Sequence, residues 1–127
     1  PLQANGAVPA EPGAPPEAFN GEGVPAFLTP VAMLQRRLEA DPSDQEARLA
    51  LARALVESGK LAEALPLYDA LASPSSGYLE TVLADLEAAA RTHAHDRALR
   101  ELMGDAYARA GRFQEAMEMY RWLLANA

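Results

Sequence analysis

From residue 29 onward, apolar side chains recur at intervals of three and four, the spacing that gathers them on one face of an α-helix. The stripes are Val31, Leu34 and Leu38; Leu49, Leu51, Ala52, Leu55 and Val56; Ala64, Leu65, Leu67 and Tyr68; Leu79, Val82, Leu83, Leu86, Ala89 and Ala90; Leu99, Met103 and Tyr107; and Phe113, Ala116, Met117, Tyr120, Leu123 and Leu124. They predict an all-α chain with helices over 30–40, 45–58, 61–72, 77–92, 97–110 and 113–126. Punctuation agrees with the stripes. Thr29 precedes Pro30 as an N-cap before a first-turn proline, Asp41-Pro42 closes the first helix, and Gly59 and Gly111 stand where helices end on a left-handed residue. Pro66 falls inside the third helix, where it removes one backbone donor and favours a bend.

Residues 1–28 carry no such period. Pro1, Pro9, Pro12, Pro15, Pro16 and Pro25, with Gly6, Gly13, Gly21 and Gly23, are too dense for a regular element, and an irregular linker is expected. Within it Phe19, Val24, Phe27 and Leu28 are apolar anchors. Phe19, Phe27 and Leu28 therefore make the tail a candidate docking segment, acting in cis or in trans. A chain that opens at Pro1 without Met is expected to be an excised piece of something longer.

The last thirty residues are the most specific. Two amphipathic helices meet at Gly111, and the small residues Gly104 and Ala116 are expected to face each other where the helices cross. With Tyr107 three positions after Gly104, Phe113 two after Gly111, then Ala116 and Tyr120, the segment resembles a tetratricopeptide repeat (TPR), a helix-turn-helix unit of 34 residues. It departs from the family in having Arg100 where Trp is frequent and Leu123 where a second small residue is usual. The resemblance implies TPR-like hairpins stacked in a short solenoid, with 30–40 as a lone second helix, 45–72 as one unit and 97–126 as another. The register is interrupted: Gly59 and Gly111 hold the same repeat position 52 residues apart, one repeat plus about one helix and its connection. The helix at 77–92 is therefore an odd extra one, expected either to take the place of a first helix against the preceding unit or to swing away.

Composition narrows the chemistry. The chain has 127 residues, no cysteine and a net charge of −7, enough for one small domain without disulfides or thiolate chemistry, and a poor match for nucleic acid or an anionic membrane. No apolar run reaches the length of a membrane span, and no basic-then-apolar leader is present, so a cytoplasmic setting, or a soluble part of a membrane-associated protein, is expected. His93, His95 and Asp96 fall within four residues, but lack further ligands and suit a turn with Asp96 as N-cap. No catalytic arrangement, metal site or cofactor site can be assembled, and no enzyme activity is expected.

The resemblance implies binding of a protein or peptide in a groove lined by the first helix of each hairpin. Its residues would be Leu49, Arg53 and Val56 in one unit and Glu101, Leu102, Asp105 and Arg109 in the other. Leu49, Arg53, Glu101 and Asp105 stand where the family's clamp for acidic C-terminal tails has Lys, Asn and Arg, so that ligand is disfavoured. Met119, Trp122 and Leu123 on the final helix are candidates for self-association into a homodimer, the alternative reading being a structural self-assembly element.

Overall fold

Three of the helices begin at a side chain able to take up their first free N–H groups. In the computed structural model, which describes residues 29–127, Thr29 Oγ1 accepts from Ala32 N at 3.3 Å, Asp44 Oδ1 from Ala47 N at 3.0 Å and Asp96 Oδ1 from Leu99 N at 2.9 Å. The six helices are α1 (Pro30–Ala40), α2 (Gln45–Glu57), α3 (Leu61–Leu71), α4 (Leu79–Ala90), α5 (Arg97–Arg109) and α6 (Phe113–Ala125), with no strand among the described residues. The expected docking segment with Phe19, Phe27 and Leu28 lies outside the described residues.

α2, α3, α5 and α6 each stop one residue short of the expected span. The largest difference is at α4, expected from residue 77 and observed from Leu79. The Ser76 hydroxyl there lies 2.7 Å from the Leu71 carbonyl and 2.8 Å from that of Ser73, and accepts the Tyr78 N–H at 3.0 Å. A side chain thus holds the backbone in a turn that would otherwise extend the helix.

The two glycine turns are built alike. Lys60 N donates to Leu55 O at 2.8 Å and Gly59 N to Val56 O at 3.0 Å; Arg112 N donates to Tyr107 O at 2.8 Å and Gly111 N to Ala108 O at 3.1 Å. This paired pattern requires a left-handed residue, and Gly59 and Gly111 have φ of 78° and 76°. α2 and α5 are 52 residues apart at both ends. Arg48 and Arg100, at the same offset, both reach back to a carbonyl of the preceding turn, Pro42 O at 2.7 Å and Ala94 O at 2.9 Å. The chain is thus two three-helix units, α1–α2–α3 and α4–α5–α6.

Within each unit neighbours in sequence pack side by side, α1 on α2 and α2 on α3, then α4 on α5 and α5 on α6. Between units α3 meets both α4 and α5. Leu71 of α3, Val82, Leu83 and Leu86 of α4 and Leu99 of α5 are the largest side chains wholly withdrawn from solvent, so the most deeply buried large residues belong to the three helices that meet at the junction of the units. α1 buries none of its residues fully; Val31, Leu34 and Leu38 are partly buried against the core. α4 does not swing away. Its Asp85 touches Arg53 of α2 and Tyr68 of α3, which brings it back against the first unit.

One close approach differs from expectation. Ala116 is buried, but the side chain facing Gly104 is Tyr120: a Cβ on Gly104 would stand 2.7 Å from Tyr120 Cε1. The glycine makes room for an aromatic ring one turn beyond Ala116, and the ring is anchored by its hydroxyl, which donates to Asp105 Oδ1 at 2.7 Å. Gly104→Ala is therefore expected to lower stability even though alanine is the better helix former. Overpacking of about 1–3 kcal/mol outweighs the roughly 1 kcal/mol of helix propensity gained. Denaturant unfolding at constant m-value measures the balance; a stabilised variant would place the ring elsewhere.

A candidate peptide groove between α3 and α5

The site depends on how the second unit is tied to the first. Tyr68 is 2% exposed, and its hydroxyl donates to Asp85 Oδ2 at 2.8 Å. Arg53 straddles the same carboxylate, Nε to Oδ2 at 2.7 Å and Nη2 to Oδ1 at 3.1 Å. Burial, followed by the adjacent Asp85 carboxylate, pushes the Tyr68 phenol well above its ordinary ionisation range, so it remains a donor. Asp85 keeps its partner Arg53 well protonated.

One arginine completes the tie, and a second braces the second unit within itself. Arg109, at the end of α5, donates to Ala72 O at 3.1 Å and pairs with Asp69 Oδ1 of α3 at 3.0 Å. Arg112 lies 5.0 Å from the centre of the Tyr107 ring and gathers carboxylates from Glu115 at 2.9 Å, Glu80 at 3.7 Å and Glu87 at 3.8 Å. Tyr107 donates to Glu87, and burial, followed by that bond, raises its phenol well above the ordinary range.

With α4 held this way, α5 lies beside α3 and leaves an open groove of about 440 Å³. Its apolar floor is Leu65 and Leu102, both buried, with Ala62, Pro66 and Ala98 at the sides. Asp69, Asp96, Glu101 and Asp105 stand around it. Pro66 has no N–H, so the Ala62 carbonyl cannot receive the ordinary bond from four residues on, and both residues line the groove. Carboxylates and a carbonyl are acceptors. The wall is thus built mainly to receive donors, with Arg109 as the cation tied to Asp69 at one end.

Of the groove residues proposed from sequence, Glu101, Leu102 and Asp105 line this site, and Arg109 borders it through Asp69. Leu49, Arg53 and Val56 do not join them: Arg53 is engaged by Asp85, while Leu49 and Val56 are partly buried against the core. The wall contributed by α3, namely Ala62, Leu65, Pro66 and Asp69, was not foreseen from sequence. Pro66 was the available signal, a donor-free position inside a helix that otherwise keeps its period.

The residues proposed for self-association are all partly buried. Met119 packs towards the core and its sulfur is 3.7 Å from Arg100 Nη1; Trp122 lies under the Arg100 guanidinium, 4.8 Å to the ring centre; Leu123 offers its carbonyl to Arg97 at 3.1 Å. The large exposed apolar residues of α6 are Phe113, Met117 and Leu124. In the turn before α5, Asp96 caps the helix, His95 lies 6.2 Å from the Trp122 ring, and His93 Nδ1 faces Thr92 Oγ1 at 3.0 Å and the Ala89 carbonyl at 3.2 Å. Among the described residues no group of three or more His, Cys, Asp or Glu is placed to hold a metal, and no helix is long and apolar enough to cross a membrane.

Residues 31–74, spanning α1, α2 and α3, match the family model described as Tetratricopeptide repeat. That stretch is similar to a tetratricopeptide repeat. No curated protein and no solved structure matches it. The TPR match falls on the first unit, and the second holds the glycine turn and the α2-like helix at the same 52-residue offset. TPR units typically mediate protein–protein contacts without catalysis.

Tyr120 gives this region a pH signature. Its hydrogen bond to Asp105, with some burial, pushes the phenol from 10.0 up to about 12. The neutral form is the one stabilised by folding, so its contribution is complete below pH 10 and disappears as pH rises towards 12. The stability difference between wild type and Tyr120→Phe is expected to shrink across that interval. A difference that stays constant from pH 9 to about 12 would show that the hydroxyl is not held by Asp105.

Proposed function

We propose that this chain is a non-catalytic protein-binding module that takes a donor-rich, basic and partly apolar peptide or partner helix in the groove between α3 and α5. One observation carries this reading: a floor of Leu65 and Leu102 surrounded by Asp69, Asp96, Glu101 and Asp105. Apolar side chains of a ligand would cover the floor, and its Lys or Arg groups would meet the carboxylates. The usual partition in peptide sites applies, with apolar contact supplying affinity and placed charges supplying orientation and discrimination. An acidic tail would meet like charge, in keeping with the residues that replace the family's clamp at Glu101 and Asp105.

The test is an amide-resolved NMR titration with two synthetic amphipathic peptides that share leucines at helical spacing and carry either Lys or Glu on the polar face. The Lys peptide is expected to shift Ala62, Asp69, Glu101 and Asp105, more weakly as salt rises. Glu101→Lys, at an exposed position, is expected to weaken it by on the order of 5–10-fold. Equal binding of the Glu peptide, or no shift in the groove at millimolar peptide, would refute the assignment.

A further inference from the structure

The 52-residue correspondence between the units exposes a difference between their last helices. On α3 the face formed by Leu61, Leu65, Tyr68 and Ala72 is closed, at 5%, 8%, 2% and 0% exposure. At the same positions α6 carries Phe113, Met117, Tyr120 and Leu124, of which Phe113 is 66%, Met117 48% and Leu124 80% exposed. Their spacing of four, three and four puts them in one stripe. Phe113 and Leu124 are larger than the Leu61 and Ala72 whose positions they take, and while Tyr120 is held against α5, Phe113, Met117 and Leu124 lie exposed among the described residues.

What covers the corresponding face of α3 is visible within the chain. It is the next three-helix unit, through Asp85 of α4 at Tyr68 and through α5 at Leu65 and Ala72. The helix that precedes α2, as α4 precedes α5, is α1. Counted by the same offset, Met33 of α1 falls at the position of Asp85, and it is 54% exposed, the large apolar residue left open at the opposite end of the described structure.

The substitutions are matched. Inside the chain Asp85 is held by Arg53 and Tyr68. On the second unit the position of Arg53 is Asp105, whose carboxylate already receives the Tyr120 hydroxyl at 2.7 Å. An incoming carboxylate there would face another, and the nearby Arg109 is already paired with Asp69. An apolar residue such as Met33 fits the stripe instead. Both partners of the internal ion pair are thus replaced, Arg53 by Asp105, which holds Tyr120 within its own unit, and Asp85 by the uncharged Met33.

We propose that copies of this chain stack head to tail, the outer face of α1 in one copy covering the Phe113, Met117 and Leu124 stripe of α6 in the next. The contact repeats the junction between the two units of a single chain, with Met33 in the place of Asp85. Because the two surfaces differ, the arrangement is heterologous and does not stop at a pair; it extends to short open stacks as concentration rises. The stripe is distinct from the groove between α3 and α5, so the stacking stands independently of the peptide reading.

The experiment uses the 127-residue chain and three samples in sedimentation equilibrium: wild type, Met33→Glu, and the double variant Met117→Glu with Leu124→Glu. All three substituted positions are exposed, and circular dichroism melts check that each variant folds. Wild type is expected to show an average mass that climbs with concentration, while each variant alone remains a monomer. Mixed in equal amounts, the variants are expected to form a one-to-one dimer and nothing larger, because Met33→Glu keeps an intact α6 and the double variant keeps an intact α1. A wild type that stays monomeric to hundreds of micromolar would overturn the proposal. So would self-association of either variant alone, or failure of the mixture to pair.

Discussion

A single buried phenol decides how this chain closes. Tyr68 is almost wholly withdrawn from solvent and needs an acceptor, which comes from Asp85 on a helix outside its own unit. A buried hydroxyl left without a partner costs on the order of 1–3 kcal/mol, a substantial share of a small domain's stability. The carboxylate that meets it is itself held by Arg53, with the two guanidinium nitrogens on its two oxygens. Three side chains from three helices thus fix α4 across the first hairpin, and Val82, Leu83 and Leu86 on α4 complete the core that follows from that placement.

The groove is a consequence of that placement. α4 meets α3 and reaches Arg53 of α2 through Asp85, and α5 comes to lie beside α3. A surface lined by helices of two different kinds results, and its polar groups are mostly acceptors. Pro66 contributes by omission, since the bond it cannot donate leaves the Ala62 carbonyl without its ordinary helical partner at the groove wall. Arg109 links the two helices at the groove's margin, pairing with Asp69 and the end of α3.

Much of this was legible in the sequence, because it rests on contacts between near neighbours. The six helices follow from apolar spacing, and the caps at Thr29 and Asp96 and the turns at Gly59 and Gly111 from residue types with one strong local preference. The family resemblance likewise rests on short offsets. What the sequence did not disclose depends on pairs far apart in the chain. Asp85 reads as one more solvated carboxylate until Arg53, 32 residues away, is placed beside it. Gly104 announces a close approach without saying that Tyr120, not Ala116, makes it. The α3 wall of the groove became visible only after the extra helix had been placed. Phe113, Met117 and Leu124 read as core by period, since periodicity reports which residues share a face and not whether another element covers it.

The central claim is that Asp85 docks α4 on the first hairpin and so joins the two units into one cooperative structure. Native-state hydrogen exchange of wild type and Asp85→Ala tests it most directly. In the wild type, amides in the middle of α4, such as Leu86 and Ala89, are expected to open with the same free energy as Leu55 of α2 and Leu71 of α3. In Asp85→Ala the α4 amides are expected to lose on the order of ten- to a hundredfold protection, and to open ahead of α2, as a buried hydroxyl loses its acceptor. Wild-type α4 amides that already exchange independently of α2 and α3, and are unaffected by the substitution, would contradict the account.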